Sequence, residues 1–161
     1  MNHFKKVGGD SIVDPSPIGI RLAASIKKFS EATDVNIICA TGLYHVMGRP
    51  SEYVGLAEEQ QIALFEKEIN DGMDDTDVKP VFLKCALETL SDDKKSIHEV
   101  EMTTLKACAK VAAKTGMSMH VHTNFPVKEH ILNAIDTVLD IGVKSDKLVM
   151  LHMDGPAWYY I

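Results

Sequence analysis

KPVFLKCAL (79–87) indicates the fold class: after Lys79 it is an apolar run that is interrupted near its middle by a second lysine, Lys84. Runs of this length and composition are typical of strands that are buried on both faces of a parallel sheet. Four more short β-rich runs occur along the chain: SIVD (11–14), VNIICATG (35–42), MSMHVHT (117–123) and KLVMLH (147–152). The sequence therefore predicts five strands.

Between these runs, apolar residues recur at spacings of three and four, which places them on one face of a helix. The four sets are Leu22, Ile26 and Phe29; Ile62, Phe65 and Ile69; Ile97, Val100, Leu105, Cys108 and Val111; and Ile131, Ile135 and Val138. Strands that alternate with crossover helices pair in parallel and cross over in a right-handed sense. The predicted class is α/β.

Several residues mark where the predicted helices begin and end. Ser96 followed by Glu99 predicts a capping box, and Pro126 fits a first helical turn. Helix C-termini are predicted at three glycines: Gly72, Gly116 and Gly142. The acidic runs DGMDDTD (71–77) and SDDKKS (91–96) are predicted to be solvated turns. The longest loop, 44–56, follows the carboxyl end of a strand, where α/β folds place their sites.

Composition limits the classes of function. The chain has 161 residues, 45% of them hydrophobic, and a net charge of −6, which favours one globular domain and disfavours nucleic acid as a partner. No run reaches the roughly 18 apolar residues of a membrane span, so we expect a cytoplasmic protein without a membrane partner. The cysteines are widely spaced in apolar runs and are predicted to be buried free thiols: Cys39, Cys85 and Cys108.

Lys84 is the least expected residue, because an isolated buried ammonium is costly. Three interpretations are open. A lowered pKa would make the amine a nucleophile for Schiff-base chemistry, or would let it take up carbon dioxide as a carbamate that bridges metal ions. Alternatively, the side chain extends to solvent from the end of its strand.

Three histidines could join Lys84. His120 and His122 are two residues apart on one strand, so they should project to the same face, where they suit metal ligation or simply a polar surface. His152 ends the next strand. Because the carboxyl ends of successive parallel strands converge, we expect Lys84, His122 and His152 to lie close together. His45, in the loop after the second strand, is weaker evidence for a site.

Four segments in the same order resemble the phosphotriesterase family of the amidohydrolase superfamily, which includes organophosphate triesterases and lactonases. They are ATGLY (40–44), KEINDGMDDTDVKPVFLKCA (67–86), AAKTGMSMHVHT (112–123) and KLVMLHMD (147–154). The resemblance extends over nearly the whole chain, from GGDSIVDPSPIGIR (8–21) to Asp154.

The resemblance implies a TIM (β/α)8 barrel with two divalent metal ions, usually zinc, at its C-terminal face. Lys84 matches the carboxylated lysine that bridges both ions, and His122 and His152 match ligands of the more exposed ion. Tyr44 matches an aromatic residue beside the substrate. The implied reaction is attack by a metal-activated hydroxide on a phosphotriester, a lactone or a related small-molecule ester.

A complete barrel of eight strand–helix units takes about 250 residues, or about 31 residues for each unit. The 161 residues of this chain therefore cover about five units, which correspond to strands two to six of the family. The first-strand H-x-H pair and the eighth-strand aspartate of the family are not in the sequence. We therefore expect residues 1–161 to form one incomplete metal-dependent hydrolase domain. The alternative is a non-catalytic fragment whose open edges need a partner chain or cause self-association, so a homo-oligomer is expected.

Overall fold

The computed structural model describes residues 2–124 and 128–153. Its strands are β1 (Ser11–Asp14), β2 (Asn36–Gly42), β3 (Phe82–Leu87), β4 (Ser118–Thr123) and β5 (Leu148–Met150). Its α-helices are α1 (Asn2–Lys6), α2 (Ala23–Thr33), α3 (Glu58–Asp71), α4 (Glu99–Thr115) and α5 (Lys128–Ile141). Short 3-10 turns lie at Val46–Gly48, Ser51–Tyr53 and Ser145–Lys147.

The five strands form one parallel sheet in the order β1-β2-β3-β4-β5. Neighbours in sequence are therefore neighbours in space, and the sheet curls into a half-barrel with helices, which confirms the α/β class and the partial-barrel expectation. All five predicted strands exist. Most are a little shorter than predicted, and β5 covers only three of the six residues of KLVMLH.

Strand β3 has two differently used faces, because successive side chains alternate across a sheet. Leu83, Cys85 and Leu87 belong to the main apolar core, which they share with α3, α4 and α5. Lys84 projects from the other face, the concave side of the sheet. All six residues of β3 are buried, as the apolar run 79–87 predicted.

Helices α3, α4 and α5 bury the faces that their spacing predicted, with Phe65, Leu105 and Ile131 fully enclosed. The set on α2 also shares one face, since Leu22 and Phe29 line the same groove, but they stay 71% and 57% exposed. This face lies beside β1, the last strand of the sheet in the described residues.

The predicted helix ends are confirmed at Gly72, Gly116 and Gly142, each with a positive φ after the last helical residues. The capping box of Ser96 and Glu99 was wrong. Helix α4 begins at Glu99, and the Nδ1 atom of His98 accepts the hydrogen bond from the Val100 N–H at 3.2 Å. Pro126 lies outside the described residues.

The acidic run 71–77 was predicted to be a solvated turn, and it forms a largely exposed turn in which Asp74 also binds a neighbouring segment. Its carboxylate accepts hydrogen bonds from the Ala23 N–H at 3.0 Å and from Arg21 at 3.3 Å. Arg21 is buried and also donates to Glu68, whose pKa is raised by burial. The run thus joins α3 to the start of α2. The run 91–96 is largely exposed, as predicted.

The three cysteines are free and buried, which confirms the prediction from their apolar surroundings: Cys39, Cys85 and Cys108. Burial raises the pKa of the Cys108 thiol, so this group stays protonated at neutral pH. Within the described residues, no helix is both long and apolar enough to cross a membrane.

Candidate active site

The carboxyl ends of four successive strands bring the predicted site residues together. Tyr44 follows β2, Lys84 lies in β3, His122 lies in β4 and His152 follows β5. The ring centroids of His122 and His152 are 4.5 Å apart, and those of Tyr44 and His122 are 5.3 Å apart. The Lys84 Nζ atom lies 5.4 Å from the centroid of the Tyr44 ring. The predicted convergence is therefore observed.

Lys84 is only 3% exposed, so its side chain does not reach solvent as one interpretation allowed. Its Nζ atom donates a hydrogen bond to the Cys85 carbonyl oxygen at 3.0 Å. Burial lowers the pKa of the Lys84 amine, because a desolvated ammonium is disfavoured. A larger fraction of this amine is therefore unprotonated, and nucleophilic, than for a surface lysine.

Gly42 explains how β2 passes so close to Lys84. The two residues are paired in the parallel register, and Gly42 has a φ of 129°. A Cβ atom at this position would lie 1.9 Å from the Lys84 carbonyl oxygen. Only glycine fits here, and this close approach lets Tyr44, two residues later, lie over the lysine.

His120 and His122 project to the same face of β4, as predicted, but they meet different neighbours. The His120 ring packs on Phe82 at 4.3 Å, whereas His122 contacts Tyr44 and His152. Burial, and then the positive charge of Lys84, lower the pKa of both imidazoles. His122 is therefore neutral at pH 7, which leaves one ring nitrogen with a free electron pair.

His152 adopts a left-handed backbone conformation, with φ of 62°, two residues after the end of β5. This conformation is uncommon for a residue other than glycine and costs of order 1–3 kcal/mol. The preceding residue, Leu151, holds it in place: its N–H donates to Val121 at 2.9 Å, and its carbonyl accepts from the Thr123 hydroxyl at 2.7 Å. The strained turn directs an exposed imidazole toward His122.

Glu88 is a site residue that the sequence reasoning missed. It follows β3 directly, and its Oε2 atom lies 3.3 Å from His122 Nε2 and 3.5 Å from His45 Nε2. His45, which sequence alone treated as weak evidence, is therefore part of the same cluster. The signal that could have identified Glu88 is its position at the carboxyl end of the strand that contains Lys84.

A second missed residue, Glu101, holds the two loops that carry these side chains. It is fully buried in the first turn of α4. Its Oε1 atom accepts from the Val46 N–H at 3.1 Å, and its Oε2 atom accepts from the Glu88 and Thr89 N–H groups at 2.8 and 3.0 Å. An acid four residues before Leu105, on the apolar face of a predicted helix, was the available signal.

Arg49 links the same loop to α4 by hydrogen bonds. Its guanidinium donates to the Tyr44 carbonyl oxygen and, at 3.1 Å, to the Thr104 hydroxyl of α4. Burial lowers the pKa of the Arg49 guanidinium, and the negative charge of the nearby Glu101 partly offsets this effect by raising it. Gly48 is required at the turn because a Cβ atom there would lie 2.7 Å from His45 Nε2. The loop after β2, which carries Tyr44 and His45, is thus anchored to α4.

An open cavity of about 710 Å³ adjoins His45 and Glu88. Its other walls are formed mainly by the loop that follows β3, including Leu90, Asp92 and Lys94. The cavity is of the size that small-molecule ligands occupy.

A model of the phosphotriesterase family matches residues 1–157. The chain belongs to the phosphotriesterase family. It is 31% identical to a phosphotriesterase-related protein of Nematostella vectensis and 30% identical to one of Drosophila melanogaster, over 154 residues in each case. These matches cover 94% of this chain and 42% of each relative, so the chain spans less than half the length of the curated relatives.

Among solved structures, a resiniferatoxin-binding protein from Rhodobacter sphaeroides has the same fold, with a TM-score of 0.82 and 24% identity. The alignment covers 98% of this chain and 44% of that protein. The likeness shows that the half-barrel has the fold of part of that longer protein, and it bears on the fold alone.

Whether these residues fit the family's metal ions depends on Lys84. Within the described residues, no three His, Cys, Asp or Glu side chains are placed to hold a metal ion. A free lysine amine is only a donor, but a carbamate on Lys84 would add acceptor oxygens near Tyr44. The carbamate, the neutral His122 and His152 would together offer ligands of the types that one divalent ion takes.

Proposed function

We propose that this chain is part of a metal-dependent hydrolase that cleaves a phosphotriester, a lactone or a related small-molecule ester. The observation that carries the proposal is the buried Lys84 amine, which lies at the same end of the sheet as His122 and His152. Lys84, as a carbamate, and the two histidines would be the metal ligands. Tyr44 would contact the substrate.

The lowered pKa of Lys84 supports formation of the carbamate. The unprotonated amine attacks carbon dioxide, a nitrogen–carbon bond forms, and a proton leaves the nitrogen. The product carries a negative charge on two oxygens, so the site no longer holds a cation next to His122. This exchange of charge makes the site suitable for a divalent ion, most simply zinc, with a second ion expected in the full family site.

Once bound, such ions lower the pKa of a water molecule and polarise the substrate oxygen. The residues of this chain have simpler roles. His122 supplies a neutral nitrogen and His152 supplies a second imidazole. Tyr44 lies over the lysine with a phenol whose pKa is raised by burial, so it stays uncharged. The cavity beside His45 and Glu88 would hold the part of the substrate that does not react.

The three buried free thiols support a cytoplasmic, reducing location for the protein. The net charge of −6 favours a small-molecule partner over nucleic acid. Both statements are parts of the proposal.

The purified chain tests the ligand set directly. We would dialyse it with zinc and ¹³C-labelled bicarbonate, then measure bound metal by mass spectrometry and the carbamate carbon by NMR. The matched variants are Lys84→Ala and Lys79→Ala, since Lys79 is an exposed lysine just before the same strand. Metal and carbamate should both be lost in Lys84→Ala and kept in Lys79→Ala.

Less than about one-tenth of an equivalent of zinc, manganese or cobalt in the wild-type chain would contradict the ligand assignment. Equal metal content in wild type and Lys84→Ala would contradict it as well. Hydrolysis of a panel of phosphotriesters, lactones and carboxylic esters would then distinguish the substrate classes.

A second candidate is a non-catalytic scaffold that needs a partner chain. It is favoured by the open β1 edge in the described residues and by the 42% coverage of the relatives. Light scattering over a range of concentrations separates the two candidates. A monodisperse monomer with hydrolytic turnover would exclude the scaffold, whereas an inactive, self-associating chain would support it.

The buried amine also suits Schiff-base chemistry, in which it would condense with an aldehyde or ketone and release water. Borohydride reduction in the presence of small carbonyl compounds would trap the adduct on Lys84. The two histidines beside Lys84 favour the metal proposal over this one.

A further inference from the structure

One carboxylate faces two imidazoles at the edge of the site. The Glu88 Oε2 atom lies 3.3 Å from His122 Nε2 and 3.5 Å from His45 Nε2. The side chains of His122 and His45 are only 17% and 18% exposed, and Glu88 is 32% exposed. These three residues, which we call the imidazole–carboxylate cluster, come from three separate elements.

The backbone that carries this cluster is fixed. Glu101 accepts hydrogen bonds from the Glu88 N–H at 2.8 Å and from the Val46 N–H, next to His45, at 3.1 Å. The third member, His122, lies in β4, which is paired with β3 along six residues. The close approach of Glu88 to both imidazoles is therefore set by the main chain, not by a long side chain that happens to reach them.

The chemistry of the cluster determines which ring nitrogen carries the proton. An ionised carboxylate can only accept, so a neutral imidazole that turns Nε2 toward it is favoured with the proton on Nε2. The free electron pair then lies on Nδ1. In His45, this Nδ1 atom is buried and has no hydrogen-bond partner in the part of the chain that the structure describes.

We propose that Glu88 is a positioning residue that fixes the ring orientation and the Nε2–H tautomer of His122, so that Nδ1 is the nitrogen offered to a metal ion. The inference rests on the proposed function, in which His122 is a metal ligand. Carboxylates that orient ligating histidines in this way commonly change metal affinity about 10–100-fold when they are removed. Glu88 would not touch the metal or the substrate itself.

The first test needs no metal. Two-dimensional long-range ¹H–¹⁵N NMR of the ¹⁵N-labelled full chain, at a pH of about 8 where imidazoles are neutral, measures the tautomer of each histidine. In wild type, we expect the ¹⁵N chemical shifts of the two His122 ring nitrogens to have the values of a pure Nε2–H tautomer. In Glu88→Leu the two shifts should move toward each other, since the Nδ1–H tautomer becomes populated. An Nε2 without its proton in wild type, or unchanged shifts in the variant, would overturn the proposal.

The second test is zinc affinity, measured by competition with a chelating dye in the presence of bicarbonate. Glu88→Gln keeps the side-chain shape and should weaken binding about 10–100-fold. Asp92→Asn is the matched control, because Asp92 is an exposed carboxylate in the wall of the same cavity, and it should change affinity less than about threefold. Equal affinities of wild type and Glu88→Gln would overturn the proposal.

The two tests separate this inference from the proposed function. If wild type binds no zinc but His122 shows the fixed tautomer and Glu88→Leu loses it, the ligand set fails and the positioning role stands. If zinc binds and requires Lys84, but neither Glu88 variant changes tautomer or affinity, the proposed function stands and the positioning role fails. Should a variant not fold, the wild-type tautomer alone still contradicts the inference if it is Nδ1–H.

Discussion

Two strand–helix units of the same sheet differ sharply in how much of their apolar surface is covered. In the central unit, made of β3, β4 and α4, every residue of β3 is buried and so are eight residues of α4. In the edge unit, made of β1 and α2, no residue of β1 is buried and Ala23 is the one buried residue of α2. Both units have the same alternation of apolar strand and amphipathic helix.

The difference shows that amphipathic patterning specifies which face can be buried, while a neighbour decides whether it is. The edge unit exposes Val13, Leu22 and Phe29, at 50%, 71% and 57%, around a groove of about 520 Å³. At the opposite edge, Leu132 and Val149 are 46% and 38% exposed. Lys84 and His122 lie in the central unit, so the best-packed part of the chain supports the site.

The largest expected effect on stability comes from truncating a buried phenylalanine, compared with an exposed one. Phe65 of α3 is fully buried against the central unit, whereas Phe29 of α2 is 57% exposed. Phe65→Ala should lower the free energy of unfolding by about 3–5 kcal/mol, since it removes a large apolar group and leaves a cavity. Phe29→Ala should cost less than about 1 kcal/mol. Urea denaturation with a shared slope measures both.

Similar losses in the two variants would show that the edge unit is covered in solution, for instance by a second copy of the chain. Repeating the denaturation at several protein concentrations identifies this case, because association makes the midpoint depend on concentration.

Alanine substitutions at two glycines distinguish the stability cost of backbone strain from the cost of a steric clash. Gly42 and Gly116 both have positive φ, but a Cβ atom on Gly116 meets open space, whereas one on Gly42 would lie 1.9 Å from the Lys84 carbonyl oxygen. Gly116→Ala should cost about 1–2 kcal/mol from conformational strain alone. Gly42→Ala should cost about 2 kcal/mol or more, since overpacking adds about 1–3 kcal/mol.

The same pair sharpens the proposed site. Gly42→Ala must displace β2 from Lys84, so the zinc and carbamate content of the refolded variant should fall, while Gly116→Ala should retain both. Equal metal content in the two variants would show that the spacing between β2 and Lys84 does not matter to the site.

The strands, the apolar helix faces and the convergence of the site residues could be predicted from sequence because they depend on local periodicity and on strand polarity. Lys84 stood out since a charge in an apolar run is costly, and His122 and His152 followed from their positions near strand ends. The exposure of Leu22 and Phe29 could not be predicted for a physical reason: a helical apolar face gives no information on whether a neighbouring element exists to cover it.

The cluster of Glu88 with His45 and His122 could not be derived in the same way. It depends on where a loop returns over the sheet, and that path is determined by hydrogen bonds that Glu101 accepts and Arg49 donates. Neither residue has a local pattern that identifies its most distant partner, which lies 55 positions away in both cases. The acid on the apolar face of α4 signalled a buried acceptor, but not which N–H groups it accepts from.

A smaller effect on stability, but a clear one on association, is expected at the edge unit. Leu22→Asp places a charge in the exposed apolar groove beside β1, the edge strand of the sheet. Because uncovered strand edges and apolar patches promote self-association, the variant should shift any dimerisation to severalfold higher concentration and change the free energy of unfolding by less than about 0.5 kcal/mol. Sedimentation velocity measures the association. Ala32→Asp, at an exposed position near the end of the same helix, is the control and should leave it unchanged.

The smallest expected effect is the coupling energy of an exposed ion pair in the central unit, and it tests whether location there, without burial, makes a contact stabilising. Lys114 of α4 and Glu66 of α3 form an ion pair at 2.7 Å between two well-packed helices, yet their side chains are 70% and 29% exposed. Exposed pairs contribute little, because water and salt screen the charges. A double-mutant cycle with Lys114→Ala and Glu66→Ala should give a coupling energy below about 1 kcal/mol that falls further in high salt. The exposed Lys106, on the same helix, provides the control cycle with Glu66. A coupling comparable to the loss in Phe65→Ala would mean that location in the central unit, and not burial, determines how much a contact stabilises the fold.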